Sequence, residues 1–118
     1  MLLIVKLCPR SDMSEAHPID RLYNVILSRK EADPASSYTA KLFHQGTLKI
    51  AKKLGEEGVE TDLAAVAEYK EHLIAESADL LYHLLVLWAA CGVTPDDAYS
   101  ALDARTHRSG IEEKNVRG

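Results

Sequence analysis

The chain has 118 residues, one domain's worth, and carries 14 Lys+Arg against 18 Asp+Glu for a net charge of −4. A composition that is 47% apolar and 27% charged excludes intrinsic disorder, and the lack of any Lys/Arg block longer than two residues excludes a duplex-binding basic footprint. The 16 Leu and 15 Ala, set against only 6% aromatic residues, favour helices over strands.

Met1 to Val5 is apolar but too short for a signal-peptide core, and Lys6, Pro9 and Arg10 follow it. Met13 is an alternative start. Residues 1–16 are expected to be a poorly ordered extension, 17–107 an all-α domain, and 108–118 a polar tail. A first helix is expected from Pro18 to about Lys30, where Ile19, Leu22, Tyr23 and Ile26 recur at helical spacing. Glu31 to Ser37 reads as a loop by composition.

No proline falls between residues 35 and 94, which permits long helices. A short helix from Tyr38 to Gln45 should stop at Gly46, and Thr47 should N-cap a longer helix reaching about Tyr69. A tight connection is expected at Lys70 to His72. The fourth helix then runs to Cys91 and stops at Gly92. Thr94 and Pro95 begin the last helix, with Asp96 and Asp97 at the positive end of its dipole, and it fades near Thr106.

Of the 19 residues from Leu73 to Cys91, 15 are apolar. A helix apolar nearly all round has to be buried on nearly all sides, and a domain this small has few elements to do that. The expected architecture is therefore an antiparallel helical bundle completed by dimerisation, most simply a two-fold homodimer. The alternative is a monomeric bundle with this helix at its centre. The most apolar stretch, Leu80 to Cys91, is 12 residues long and contains His83, too short to span a bilayer. Cys8 and Cys91 show no metal-ligand spacing and read as reduced thiols, which points to a cytoplasmic protein.

Two pairs of acids carry the chemistry. Glu57 and Glu60 are three apart on the third helix, and Glu76 and Asp79 are three apart on the fourth. Residues at i and i+3 share a helical face, so each pair offers oxygens to one point. Fifteen residues separate Glu60 from Glu76, enough to turn back antiparallel and bring the pairs face to face. Glu76 and Asp79 lie within the most apolar helix, where unpaired carboxylates are costly. A divalent cation is the compact compensation, and an all-carboxylate set favours Mg²⁺ or Mn²⁺. The competing readings are a solvated helix face for the first pair and a salt-bridge network with Lys52 or Lys53 for the second.

Gly55 and Gly58 cost helix stability beside the acids, which suggests close approach by a helix or ligand, or else a bend. His83, seven residues after Glu76, is placed to bond a carboxylate or a phosphate, or is a satisfied core histidine. His17, His44, His72 and His107 show no ligand spacing, and without Glu-x-x-His pairs a ferritin-like di-iron site is disfavoured. Lys41, Lys49, Lys52 and Lys53 precede the acids, and lysines beside a metal site suit a polyphosphate.

Three segments carry a family resemblance: Ser37-Tyr-Thr-Ala-Lys-Leu42, Lys49-Ile-Ala-Lys-Lys-Leu-Gly-Glu-Glu-Gly-Val-Glu60, and Glu76-Ser-Ala-Asp-Leu-Leu-Tyr-His-Leu-Leu-Val86. They resemble the phosphoribosyl-ATP pyrophosphohydrolases of histidine biosynthesis, within the wider MazG-like all-α pyrophosphohydrolases. The resemblance covers about residues 17 to 117. It implies Mg²⁺-dependent hydrolysis of phosphoribosyl-ATP to phosphoribosyl-AMP and pyrophosphate, with Glu57, Glu60, Glu76 and Asp79 as metal ligands and Glu56 as either an additional ligand or a group supporting them. It also implies substrate contacts from Ser37, Tyr38, Thr39 and Lys41, while Lys49, Lys52 and Lys53, with His83 as a further candidate, are placed to hold phosphate oxygens. The alternatives are a general nucleoside triphosphate pyrophosphohydrolase and a non-enzymatic dimeric helical module.

Overall fold

A computed structural model describes residues 16–106, and among these it contains five helices and no strand. They are α1 (Pro18–Ser28), α2 (Tyr38–Gln45), α3 (Thr47–Val66), α4 (Lys70–Cys91) and α5 (Pro95–Arg105). The expectations for the N-terminal extension, Met13, Cys8 and the polar tail lie outside the described residues, Ala16 apart.

Local chemistry sets most of the helix ends. His17 caps α1 by accepting the Ile19 amide at Nδ1 (3.1 Å), and Pro18 supplies the fixed φ of the first turn. Ser37 caps α2 by accepting the Ala40 amide at 3.1 Å. Gly92 ends α4 in the left-handed region (φ 75°), and the Val93 amide returns to the Trp88 carbonyl at 2.9 Å. Thr94 and Asp97 form a reciprocal capping box on α5 (2.9 and 3.2 Å).

Three boundaries differ from expectation. Arg29 is already outside α1, which ends at Ser28. Thr47 is the first residue of α3 rather than its cap, because Gly46 ends α2 and starts α3 at once. At φ 96° and ψ 168° Gly46 passes the chain from one helix to the next in a single residue, and only glycine adopts that conformation cheaply. Finally, α3 stops at Val66 and α4 starts at Lys70, so the turn is Ala67 to Tyr69, with Glu68 left-handed at φ 64°. Lys70 to His72 are therefore helical.

Gly46→Ala isolates the second of these features. A Cβ there would meet nothing within 4 Å, so only the backbone objects. The expected loss is about 1–3 kcal/mol, read as a lower urea midpoint with an unchanged slope.

Packing is concentrated at one end. Tyr23, Ile26, Leu42, Ile50, Leu85, Val86 and Ala89 form the buried core where α1, α2, the start of α3 and the second half of α4 meet. The Tyr23 hydroxyl donates to the Val93 carbonyl (2.7 Å) and the Tyr99 hydroxyl to Asp20 (3.2 Å), which ties α1 to the α4–α5 turn and to α5. Beyond Ile50 only Ala64 of α3 is buried.

The α3–α4 hairpin runs away from this core with an uncovered apolar surface. Val66 is 80% exposed, Ile74 59% and Leu81 43%. By length and composition α4 is apolar enough to cross a membrane, since it starts well before Leu80. It packs along α3 and against α1 and α2, as the central helix of a bundle does.

Candidate metal centre and substrate site

Because α3 and α4 are antiparallel neighbours, the two acidic faces meet partway along the hairpin. Carboxylate oxygens of Glu57, Glu76 and Asp79 lie within 4.8 Å of one another, close enough for one cation to touch all three. Glu60, one turn further along α3, is exposed and outside this trio. Its charge still reaches Glu57.

Glu76 is largely shielded, with its side chain 15% exposed, whereas Asp79 is exposed. The expected burial of both acids therefore holds for only one of them.

The lysine salt-bridge reading of the second acid pair does not describe this geometry. Among the described residues no lysine forms an ion pair with Glu76 or Asp79; Lys53 pairs instead with Glu56 at 3.6 Å, and Glu76 with His72 at 3.2 Å. Glu56 is thus turned to a lysine rather than to the trio. His72 had shown no ligand spacing in the sequence, yet it sits one turn before Glu76 and competes for its carboxylate.

Like charge crowds the site. The pKa of Glu57 is raised, first by loss of hydration and then by Glu60, with Asp79 and Glu76 adding to the effect and His83 opposing it. A raised folded-state pKa has a definite sign for stability. The folded chain keeps a proton that the unfolded chain releases, so stability falls as pH climbs from about 4.5 through the raised value, and the deficit is full above it. In chelator, wild type is expected to lose ground to Glu57→Gln across that window, measured as the difference in unfolding free energy. A pH-independent difference would contradict the assignment.

A second cluster adjoins the acids. His83 is buried, and its Nδ1 donates to the Asp79 carbonyl at 2.8 Å, leaving Nε2 toward the Tyr38 hydroxyl at 3.4 Å. Thr39 and Tyr82 share a hydroxyl hydrogen bond of 2.5 Å, and the Tyr38 and Tyr82 rings stack with centroids 6.3 Å apart. The start of α2 is thereby fastened to α4 beside Asp79. Tyr38 keeps half its surface exposed and is accessible to a ligand, whereas the Ser37 hydroxyl is engaged in capping.

Lys41, Lys49 and Lys52 are exposed on α2 and the first half of α3. On the other side of the acids, Glu60, Leu63, Ala64, Tyr69, His72 and Glu76 border a groove of about 340 Å³. Among the described residues nothing stands within 4 Å of where a Cβ on Gly55 or Gly58 would lie, so no described helix makes the close approach those glycines suggested.

Sequence reasoning passed over Tyr82, His72 and Thr61. His72 and Thr61 each lie four residues from an acid, a spacing that could have flagged them. Tyr82 carries no such signal, because its partner Thr39 is 43 residues away.

Comparison with known proteins gives consistent matches. The family model for phosphoribosyl-ATP pyrophosphohydrolase matches residues 19–106. A phosphoribosyl-ATP pyrophosphatase of Paramagnetospirillum magneticum is 59% identical over 99 residues, covering 84% of this chain and 91% of that protein. One from Azospirillum brasilense is 55% identical over 106 residues, covering 90% and 96%. A phosphoribosyl-ATP pyrophosphatase of Saccharolobus islandicus is 55% identical over 87 residues, covering 74% and 93%.

Proposed function

Since the chain belongs to the phosphoribosyl-ATP pyrophosphohydrolase family, we propose that it hydrolyses phosphoribosyl-ATP to phosphoribosyl-AMP and pyrophosphate in histidine biosynthesis, with Mg²⁺ held by Glu57, Glu76 and Asp79. The convergence of those three carboxylates is the observation that carries the metal assignment. The trio fits the ion: it is all oxygen, it is unpaired with lysine, and loss of hydration, then Glu60 and the other acids, raise the pKa of Glu57. Mn²⁺ fits the same donor set. Glu60 stands one turn away as a further ligand or as a base.

A bound divalent cation supplies charge neutralisation at polyphosphate oxygens and makes water more acidic. The protein's own groups do the rest. Water adds to the α-phosphorus, its proton passes to a carboxylate of the acidic set, and the α–β anhydride breaks with pyrophosphate as leaving group. Lys49, Lys52 and Lys53 offset phosphate charge. Tyr38, Thr39, Lys41 and His83 contact the phosphoribosyl or phosphate end, with Ser37 holding the start of α2 in place.

The homodimer belongs to the same reading. Leu48, Val66, Ile74 and Leu81 are exposed apolar side chains on α3 and α4 that a second copy would cover. Sedimentation is expected to give twice the 13.0 kDa of one chain. The protein is read as cytoplasmic, with no nucleic-acid or membrane partner.

The deciding assay is pyrophosphate release from phosphoribosyl-ATP, with Mg²⁺ and with chelator. Turnover that needs Mg²⁺ and exceeds that of a panel of nucleoside triphosphates supports the assignment. Equal rates across the panel would replace it with a general pyrophosphohydrolase, and no metal binding or turnover would leave a helical module.

A further inference from the structure

We propose that Thr61 is a positioning residue, whose hydroxyl holds together the two helices that carry the acids and sets the spacing of Glu57 and Glu76. The proposal rests on the metal site described above. Thr61 lies one turn beyond Glu57 on α3 and faces Glu76 on α4. Its Oγ1 is 2.8 Å from the Glu57 carbonyl and 3.2 Å from the Glu76 carbonyl, so a single O–H proton is shared between the main chains of two residues whose carboxylates meet in the cluster.

The first of these bonds is common for threonine in a helix, where the hydroxyl turns back on the carbonyl four residues earlier. The second is not explained by local structure, because it crosses to another helix. Among the described residues it is the one hydrogen bond that joins α3 to α4. The packed core lies toward the other end of the hairpin, and near the acids α3 buries only Ala64. Apolar contact is non-directional and does not pin helix spacing by itself. Three carboxylates in mutual repulsion push the helices apart at this level, and the Thr61 bond opposes them.

Threonine suits the task better than serine. Its branched Cβ restricts χ1 in a helix, and the γ-methyl limits the ways the hydroxyl can turn. The carbonyls it serves also accept their own helix amides, so removing the hydroxyl orphans neither.

The experiment is Mn²⁺ titration of the full-length protein, followed by electron paramagnetic resonance, on wild type, Thr61→Val and Thr61→Ser. Pyrophosphate release is measured in parallel. Removing a residue that orients metal ligands typically weakens metal binding about 10–100-fold. Thr61→Val, which keeps the shape and loses the O–H, is expected to bind Mn²⁺ at least about 10-fold more weakly. Thr61→Ser, which keeps the hydroxyl, is expected to recover most of that loss. A merely structural threonine would instead shift thermal unfolding in both variants and leave Mn²⁺ affinity alone.

Wild-type Mn²⁺ affinity in Thr61→Val overturns the proposal. If the valine variant does not fold, Thr61→Ala reads the same loss, and undiminished affinity there overturns it equally. A wild-type protein that binds no Mn²⁺ removes the metal site itself, an outcome distinct from a site that binds Mn²⁺ whether or not the hydroxyl is present.

Discussion

Glu57→Gln and Asp79→Asn are each expected to lower turnover of phosphoribosyl-ATP by roughly 10²–10³-fold or more while helical content by circular dichroism stays unchanged. Both changes keep the side chain's shape and remove a negative oxygen donor from the trio. The charged oxygens are needed where polyphosphate and cation meet, so the loss falls on the chemical step. Stability should move the other way. Glu57 carries a charge that its surroundings disfavour, so Glu57→Gln in chelator should unfold at the same temperature as wild type or higher. Opposite movement of activity and metal-free stability marks a residue kept for function. Wild-type rates in either variant would remove the acids from the mechanism.

Ile50→Ala is expected to cost about 2–5 kcal/mol of folding free energy, read from urea unfolding. Ile50 is fully buried and belongs to the cluster formed with Leu42, Leu85 and Val86. It occupies the first turn of α3, directly after Gly46, so the void would open where three helices meet. Among the described residues few other side chains are fully buried, and the surrounding structure has little with which to refill the space. A loss below about 1 kcal/mol would mean that this core packs differently.

Much of the fold was legible because its signals are local. Proline positions, the Thr94-Pro95 start, the glycines at 46 and 92 and the apolar periodicity of α1 act within a turn or two of themselves. The boundaries that moved depended on backbone chemistry that residue type does not announce. Glu68 adopts the left-handed conformation without being glycine, and Gly46 serves two helices at once.

The acids were readable for the same reason. A spacing of three on each of two helices fixes a face, and a short connection fixes the antiparallel return. What the spacing could not supply was how far each oxygen reaches. Glu60 shares a face with Glu57 yet stays outside the trio, and Glu56 turns to Lys53. The Thr39–Tyr82 contact depends on how α2 docks against α4, and no local pattern encodes it.

The uneven core has a consequence for motion. Segments with few buried apolar contacts open at lower free energy than those anchored in the core. The α3–α4 hairpin beyond the acids has little such anchorage in one chain, so its amides should exchange with solvent well ahead of those around Ile50 and Val86. Ligands that engage Glu57 and Glu76 together clamp the two arms of that hairpin, and binding energy is then spent partly on quieting it. Affinity for substrate and cation is thereby linked to the local breathing of the hairpin, and a change at the loop tip, far from any reacting atom, acquires a route to the chemistry.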